Sequence, residues 1–544
     1  MPGPLAHARD GETQSRAGRR VLLVFPRYTP SFGTFEYAFP LVGAKAFMPP
    51  QGLLVIAAAL PEGWKARFVD ENLKAASRRD FAWADVVFVS GMHIQRAQIN
   101  DINRRAHAAG ATTVLGGPSV SASPEYYPDF DYLHLGELGD ATEALFERLT
   151  ADPRRPPSQV MLSTVRRLDL AEFPLPAYEL ADLGRYFMGS IQYSSGCPFD
   201  CEFCDIPALY GRVPRLKTPA QLCAELDKLR ACGIRDAVYF VDDNLIANRR
   251  ALRELLPSLI AWQRSNGYPY QLACEATLNI AKRPELLADM REAGFQTIFC
   301  GIETPEPAAL KAIDKAHNLA APILDSVRRL NAYGFEVVSG IIMGLDTDTP
   351  DTPRRILDFV EESQIPMLTI NLLQALPRTR LWDRLAAQGR LERDESLESN
   401  VRFAQPYNQV VESWRACVAA VYEPKALFSR FKYQIDATYA HRLVPERKVR
   451  LADLRRGMAV IARVLWTCGV RAPYRHEFWA FAWPRLKVLD IERVVTVGTV
   501  AHHLISFARE ASRGRQNASF YSRRVADQGA HATVTPLTAQ ADAA

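Results

Sequence analysis

Short apolar runs alternate with helical patterns along the first two thirds of the chain. Between residues 20 and 150 the apolar runs are RVLLVF, ARFVD, VVFVSG, TVLGGP and YLHLGE, and the helical patterns include PPQGLLVIAAAL and a stretch from about residue 95 to 109. Strands that alternate with helices are typical of parallel βαβ units under helical cover. We therefore predict a doubly wound, Rossmann-like α/β domain over residues 20–150.

The strand ends of this first domain are expected to form a binding rim. In doubly wound sheets the ligand lies beyond the carboxyl ends of the strands. These ends carry glycines, a serine and acidic residues, and we expect ligand contacts from Asp70, Ser90, Gly91, Gly116, Gly117, Gly136 and Glu137.

A second alternation follows a proline-rich connector, residues 151–182. Its six apolar runs are IQYSS, AVYFVDD, YQLACEAT, TIFCGIE, VVSGIIMG and LTINLLQAL. Six strand and helix repeats predict a partial (β/α)6 barrel over residues 183–395. Thr218-Pro219-Ala220-Gln221 has the pattern of a helix start with a capping box, and Gly233, Gly294 and Gly334 suit the positions just after helix ends.

The alternation stops at about residue 400, after which the chain has mainly helical patterns. We predict a helical domain over residues 396–511, with helices at 451–468 and 488–509, and a disordered leader and tail at 1–19 and 512–544. The predicted fold class is thus α/β, with two α/β domains followed by a helical one.

Composition restricts the function only weakly. The chain has 544 residues, 48% hydrophobic and 23% charged, with a net charge of +5. This charge does not single out nucleic acid as a partner. No DNA-binding module is recognisable either, which argues against a non-enzymatic sensor protein. Nine cysteines without a signal peptide favour a reducing cytoplasm. The most apolar runs, 52–60 and 458–470, are too short to cross a bilayer.

Three closely spaced cysteines carry the clearest chemical signal. Cys197, Cys201 and Cys204 come directly after the first strand of the predicted barrel. Iron-sulfur clusters need soft thiolate ligands, and three of them on a four-iron cluster leave one iron free for another ligand. A structural zinc site is the alternative, but it would want four closed ligands, and no second close pair of cysteines or histidines accompanies these three.

The CxxxCxxC spacing in this setting resembles the radical S-adenosylmethionine (SAM) superfamily. The resemblance implies that Cys197, Cys201 and Cys204 hold a [4Fe-4S] cluster whose free iron binds SAM, and that one electron cleaves SAM to a 5′-deoxyadenosyl radical. It also implies further SAM contacts at strand ends: Phe203 near the adenine, Asp242 facing the ammonium, Glu303 on the ribose, and Gly344 in the fifth strand.

Two features of these strand ends stay open. The acidic run Asp242-Asp243-Asn244 could instead serve barrel-rim polarity and helix capping. Arg378 stands where the family often has a glycine in a Pro-Gly-Thr turn, which leaves the conformation of that turn unpredicted.

The first domain resembles the cobalamin-binding domain of the B12-dependent radical SAM class. Methylthiotransferases, the other relatives with an α/β domain before the core, carry cysteines there, and no cysteine precedes Cys197. The resemblance implies cobalamin between the rim and the helix start at Gly52. The motif Asp-x-His-x-x-Gly is absent, so we expect no lower histidine ligand, and His93 and His134 are expected to be satisfied structural histidines or supporting groups.

Within this class the chain is similar to bacterial hopanoid C-2 methylases. The segments that carry this likeness are YTPSFGTF, AFMPPQGL, SGMHIQR, GGPSVS and EYYPDFD. The likeness implies that one SAM methylates cob(I)alamin, while the radical from a second SAM abstracts hydrogen from C-2 of the hopanoid A ring, which then takes the methyl group. An electron donor such as flavodoxin or ferredoxin is also implied. Methylation of another substrate, or an oxidative cyclisation or rearrangement, is the alternative.

A hopanoid must come from a membrane, and the C-terminal region has a matching composition. Aromatic residues interleaved with cations suit a headgroup interface, here at the inner membrane. The alternative is a helical domain with packed tryptophans and solvated arginines. The residues concerned are Trp466, Trp479 and Trp483, with Arg463, Arg471, Arg475, Arg485 and Lys487.

Overall fold

The computed structural model describes residues 18–394, 397–443 and 451–514. Residues 1–17 of the predicted leader and 515–544 of the predicted tail lie outside the described residues.

The first sheet is parallel throughout and is covered by helices. Its strands are β1 (Arg20–Phe25), β2 (Lys65–Asp70), β3 (Val86–Ser90), β4 (Thr112–Gly116), β5 (Tyr132–Leu135) and β6 (Val160–Ser163), in the order β2-β1-β3-β4-β5-β6. The covering helices are α1 (Phe39–Val42), α2 (Gln51–Ala59), α3 (Arg78–Trp83), α4 (Arg96–Ala108), α5 (Pro118–Ala122) and α6 (Asp140–Ala151). The predicted doubly wound fold is confirmed.

Strand β6 was not predicted, since it lies inside the segment interpreted as a connector. Its sequence, VMLS, is short and only half-buried, so it has little apolar signal of its own. It is stabilised by parallel pairing with β5, from Tyr132 opposite Val160 to Leu135 opposite Ser163. The chain thus completes the first sheet before it enters the second.

The second sheet is the predicted partial barrel. Its strands are β7 (Gly189–Ile191), β10 (Asp236–Phe240), β11 (Tyr270–Glu275), β12 (Phe295–Glu303), β13 (Glu336–Met343) and β14 (Met367–Leu372), all parallel in the order β14-β13-β12-β11-β10-β7. A small antiparallel pair, β8 (Ser194–Ser195) and β9 (Arg215–Leu216), follows β7. Because β7 and β14 are the two edges of this sheet, the barrel has one open side.

Helices follow the strands of the barrel as its alternation predicts. They are α7 (Ile206–Tyr210), α8 (Pro219–Ala231), α9 (Arg249–Ser265), α10 (Pro284–Glu292), α11 (Pro307–Ala312), α12 (Ile323–Ala332), α13 (Thr352–Ser363) and α14 (Arg380–Ala387). Gly233, Gly294 and Gly334 have φ of +99°, +93° and +88°, the left-handed conformation expected after helix ends.

The start of α8 differs from the predicted capping box in one bond. The Thr218 hydroxyl accepts the backbone N–H of Gln221 at 3.1 Å, as predicted. The Gln221 side chain, however, donates to the carbonyls of Leu170 and Phe173, at 3.1 and 2.9 Å, and does not return to Thr218. The Gln221 side chain thus joins the barrel to the segment that precedes it in the chain.

The C-terminal region is helical, as predicted. Its helices are α15 (Tyr407–Val421), α16 (Pro424–Ala437), α17 (Leu451–Trp466), α18 (Arg475–Lys487) and α19 (Ile491–Ser512), and a π-helical turn, Thr467–Arg471, joins α17 to α18. Trp414 on α15 donates to the Ile370 carbonyl of β14 at 2.8 Å. This bond joins α15 to the edge strand of the barrel. No helix among the described residues is long and apolar enough to cross a membrane.

The first domain spans the open side of the barrel and contacts both of its edges. The Tyr186 hydroxyl, just before β7, donates to Asp70 at the end of β2 at 2.7 Å. On the opposite edge, Arg378 donates to the Ala122 carbonyl of α5 at 3.1 Å. Arg378 has φ +65°, so it adopts the left-handed conformation that a glycine favours, and its guanidinium is bonded across the two domains.

A buried ion pair at the start of the barrel gives a test of this fold. Lys217 contacts Glu225, and the two side chains are 1% and 0% exposed. Burial raises the pKa of Glu225, while Lys217 opposes that rise. We expect Lys217→Met to cost about 3–5 kcal/mol at neutral pH, because it leaves a buried carboxylate without its cation.

The sign of the pH dependence follows from that pKa. A carboxyl group whose pKa is raised by folding favours the folded state when protonated, so Lys217→Met should regain stability toward acid and lose it as pH rises. Thermal unfolding at several pH values measures this. The double variant with Glu225→Leu should largely restore stability, and a Lys217→Met protein as stable as the wild type at every pH would contradict the interpretation.

Candidate active site

The three predicted cluster cysteines lie on one loop at the carboxyl end of β8. Cys197, Cys201 and Cys204 are partly buried free thiols, and the Cys204 N–H donates to the Cys201 carbonyl at 3.1 Å. Burial raises the pKa of all three thiols. Buried thiols release their protons when they bind a metal, and soft thiolates suit iron, so this loop fits a cluster. Within the described residues, no three His, Cys, Asp or Glu side chains surround one point as a single metal ion would require.

Asp242 and Asp243, which follow β10, accept hydrogen bonds from the backbone at the start of this loop. Asp242 accepts the backbone N–H groups of Tyr193, at 3.0 Å, and Ser194, and Asp243 accepts that of Gly196 at 2.8 Å. Burial raises the pKa of Asp242 to about 7 and that of Asp243 to about 6. These bonds agree with the rim-polarity part of the alternative. The helix-capping part is not supported, because α9 is capped by the Asn248 side chain. The contact of Asp242 with the SAM ammonium stays a prediction.

Asn244, the last residue of the run, joins the loop to the neighbouring strand. Its side-chain oxygen accepts the N–H of Thr277 at 3.2 Å, and its amide nitrogen lies 4.0 Å from the sulfur of Cys197. Three consecutive polar side chains therefore fix the backbone before Cys197 and approach its thiol.

A buried lysine joins the residues predicted for the ribose and the adenine. Lys315 lies 2.5 Å from Glu303, and its ammonium is 5.4 Å from the centre of the Phe203 ring. Burial opposes its charge, but Glu303 and Cys201 more than offset this and raise the pKa of Lys315. This residue was not predicted from the sequence, because a lysine in the loop after α11 has no distinguishing pattern.

The backbone around Glu303 is shaped for this ion pair. Glu303 has φ +67°, and the β12–β13 register shifts between Gly301 and Glu303. A Cβ on Gly301 would lie 2.4 Å from the Glu303 carboxylate and 2.7 Å from the Lys315 ammonium. Only glycine leaves room for the pair at this position.

His317 was also missed. Its ring stacks on Phe199, inside the cysteine loop, with centroids 3.8 Å apart and planes 18° apart. Burial, followed by the charge of Lys315, lowers the pKa of His317 to about 4, so the ring that covers this part of the loop is neutral at pH 7.

Phe203 lines a cavity of about 210 Å³ beside the cysteine loop. Leu345 and Leu373, which follow β13 and β14, form its apolar walls. Gly344 lies next to this cavity with φ +93°, and a Cβ there would lie 2.5 Å from the Phe403 ring. Glycine is therefore required at position 344 by backbone conformation and by close packing.

The glycines predicted for the rim of the first sheet divide into two groups. A Cβ on Gly91 would clash with Ile99 and Pro26, both at 2.9 Å, and one on Gly117, which has φ +92°, would lie 2.4 Å from the Ser90 hydroxyl. Gly136 has φ +96° and lies against Thr164. By contrast, nothing lies within 4 Å of a Cβ on Gly52, and one on Gly116 would make ordinary contact with His134 at 3.9–4.0 Å. Packing therefore does not require glycine at these two positions, and their contact with cobalamin stays a prediction.

The two acidic residues predicted for the rim are engaged between the sheets. Asp70 accepts the Tyr186 hydroxyl, and burial raises its pKa. Glu137 accepts the Ser195 hydroxyl at 3.2 Å and also contacts Arg215, next to the cysteine loop. The structure thus gives both carboxylates a role in holding the domains together, and a cobalamin contact by either stays a prediction.

The two histidines of the first domain differ from each other. His134 is bonded to the Thr142 hydroxyl at 2.9 Å, as expected of a structural histidine. His93 Nδ1 lies 3.3 Å from the Ser119 hydroxyl, but its Nε2 is buried and has no partner in the part of the chain that the structure describes. Burial lowers the pKa of His93 to about 4, so this imidazole is neutral at pH 7.

Family models cover most of this architecture. Residues 41–146 match the B12 binding domain, residues 191–360 match the radical SAM superfamily, and residues 379–517 match a domain of unknown function, DUF4070.

Two solved structures share the fold. TsrM from Kitasatospora setae, with bound cobalamin and [4Fe-4S] cluster, has a TM-score of 0.54 at 16% identity and covers 87% of this chain and 100% of its own. OxsB with aqua-cobalamin has a TM-score of 0.57 at 14% identity, and the match covers 94% of this chain and 84% of OxsB.

The chain is therefore a cobalamin-dependent radical SAM methyltransferase, whose cofactors are a [4Fe-4S] cluster, SAM and cobalamin. It is 60% identical to the hopanoid C-2 methylase of Rhodopseudomonas palustris over 95% of this chain and 98% of that protein. An uncharacterized methyltransferase of Synechocystis is 34% identical over 96% of this chain and 98% of that protein. The chain belongs to the hopanoid C-2 methylase family.

Gly196, just before the first cysteine, gives a test of the loop. It has φ +97°, and a Cβ there would lie 2.9 Å from the Gly211 carbonyl. We expect Gly196→Ala to cost about 1–3 kcal/mol from the backbone alone and to displace the loop, which lowers the iron and sulfide bound after anaerobic reconstitution. Gly233→Ala is the matched control, since its φ is +99° and its Cβ would meet open space. Equal iron content in both variants would refute the role of Gly196.

Proposed function

We propose that this enzyme transfers a methyl group to C-2 of the hopanoid A ring. The main support is the 60% identity to a hopanoid C-2 methylase over nearly the whole chain. The structure adds that the rim of the first domain and the cysteine loop are bonded to each other through Glu137 and Ser195. An unactivated ring carbon has neither a lone pair nor an acidic proton, so its methylation calls for a radical route.

The residues of the second domain would hold the cluster and SAM. When bound, these groups supply a radical that removes hydrogen from the substrate carbon. Cys197, Cys201 and Cys204 would ligate the cluster. The cavity beside Phe203 suits the adenine, and Glu303, held by Lys315, would orient the ribose by hydrogen bonds.

The first domain would hold the cobalamin. The uncrowded start of α2 at Gly52 would face it, Gly117 and Gly136 would let the backbone turn beneath it, and Gly91 would keep the end of β3 closely packed. We expect no lower histidine ligand, because the motif that supplies one elsewhere is absent.

A small electron carrier such as flavodoxin or ferredoxin would reduce the cluster. The cysteine loop would be accessible to such a partner, because its Asp200 side chain is 42% exposed and the Arg212 side chain beside it is 59% exposed. We propose that the enzyme works in the cytoplasm together with such a carrier.

A peripheral contact with the inner membrane would deliver the substrate. Trp466, Trp483 and Leu489 are 58%, 56% and 81% exposed, and the Lys487 ammonium lies 5.6 Å from the Trp483 ring. Exposed aromatic and cationic side chains together suit anionic headgroups. Trp479 instead donates to the Gly469 carbonyl at 2.8 Å, so for this tryptophan the packing alternative applies.

The methylation is tested in a hopanoid-producing host that lacks its own C-2 methylase. We expect expression of this chain to add one methyl group to ring A, detected by mass spectrometry of the lipids. Deuterated methyl groups fed through SAM should appear in the product. Cys201→Ala should abolish both cluster binding and product, because the cluster loses a ligand. Unmethylated hopanoids despite a fully loaded enzyme, or undiminished turnover by Cys201→Ala, would refute the proposal.

The membrane contact is tested by co-sedimentation with anionic liposomes. We expect Trp466→Ser/Trp483→Ser to weaken binding on the order of tenfold, because two large apolar side chains are lost from the interface. Met161→Ser is the matched control, since Met161 is 52% exposed on the first domain. If all wild-type protein stays in the supernatant, or if both variants bind equally, the proposed surface is wrong.

A further inference from the structure

One loop of the first domain crosses the open side of the barrel. It runs from the end of β1 to the start of α2. Its Phe47 carbonyl accepts the N–H of Met188, next to β7, at 3.0 Å. Its Phe32 ring stacks on Tyr422, at a centroid distance of 5.2 Å, and the Tyr422 hydroxyl accepts the N–H of Leu368 on β14 at 3.0 Å. The loop therefore bridges both edges of the second sheet.

Three phenylalanines form a surface at this bridge, here named the aromatic wall: Phe35, Phe47 and Phe187. Their centroids lie 5.4, 6.1 and 6.5 Å apart, and their planes are within 20° of one another. All three are partly exposed, and none belongs to the buried apolar cores of the described residues, whereas the neighbouring Phe32 does. Packing of a core therefore does not account for them.

The conformation of Phe35 carries a cost that packing does not explain. Its φ is +56°, in the left-handed region that a bulky non-glycine residue rarely adopts. His503 from α19 stacks on the Phe35 ring at 4.8 Å and holds it toward Phe47. Strain of this kind persists mainly where it positions a side chain for function.

Each end of the aromatic wall lies near one of the two cofactor regions along the chain. Phe47 is five residues before Gly52 and therefore within about 18 Å of it along an extended chain. Phe187 is two residues before the amino end of β7, the strand that leads toward the cysteine loop. A molecule on this wall would lie near the start of α2 and would extend along β7 toward the cysteine loop.

We propose that the aromatic wall binds the fused hydrocarbon rings of the substrate. This inference rests on the proposed function, since it assumes a hopanoid. Partly exposed aromatic rings suit an extended apolar ring system, because they bury its area without demanding hydrogen bonds that it cannot make. The rim and the cysteine loop would then act on one end of a substrate whose body lies along the open side of the barrel.

The test measures turnover and binding separately on the loaded enzyme. A radiolabelled hopanoid hydrocarbon in detergent micelles is the probe, with KM and kcat for methylation and retention of the label by the protein as readouts. We expect Phe47→Ala and Phe187→Ala to raise KM and to weaken retention by at least about tenfold, with a smaller change in kcat. Phe47→Leu should recover part of the loss.

Phe146→Ala is the matched control. Phe146 is a partly buried ring that contacts Trp64 on the first domain at 5.9 Å and lies outside the aromatic wall. Cluster and cobalamin absorbance should be the same in all variants, which separates loss of binding from loss of folding.

Each outcome decides between the two proposals. If the wild type methylates the hopanoid and the wall variants keep its KM and retention, the wall is not the binding site. If the wild type retains the hopanoid through the wall without methylating it, the wall stands and the proposed function fails. A wild type that neither retains nor methylates the hopanoid overturns both.

Discussion

The active site depends on the contact between the ligand-binding end of the first sheet and the small antiparallel pair, β8 and β9, that flanks the cysteine loop. Glu137, after β5, accepts the hydroxyl of Ser195, two residues before the first cluster cysteine, and pairs with Arg215 on the adjacent strand. In each sheet the carboxyl ends of the strands are where ligands bind. This contact therefore brings the cobalamin region and the cysteine loop to one space, which a methyl transfer between two cofactors requires.

Three residues with unusual backbone conformations lie at other tertiary contacts. Glu303, Arg378 and Phe35 are non-glycine residues in the left-handed region, and each takes part in a tertiary contact. Glu303 pairs with Lys315, Arg378 bridges the two domains, and Phe35 stacks on His503. Conformations of this kind cost about 1–3 kcal/mol each, so the surrounding fold must stabilise them.

The sequence predicted the parts of this protein that rest on local patterns. Apolar alternation predicted the strands of both sheets except β6, whose four residues are stabilised by pairing with β5. The spacing of three cysteines predicted the loop on which they lie. The roles of Asp70 and Glu137 between the sheets could not be predicted, because their partners lie 116 and 58 residues away along the chain. Lys315 was missed for a different reason: Glu303 is only 12 residues away, but nothing in the sequence distinguishes this lysine until the fold places it beside Glu303.

The most direct test of this account is Mössbauer spectroscopy of anaerobically reconstituted protein, recorded with and without SAM. We expect a cuboidal [4Fe-4S] cluster in which one iron changes its signal when SAM binds, because three cysteines leave that iron without a protein ligand. Protein without such a cluster, or a cluster whose four irons are all unaffected by SAM, would contradict the account.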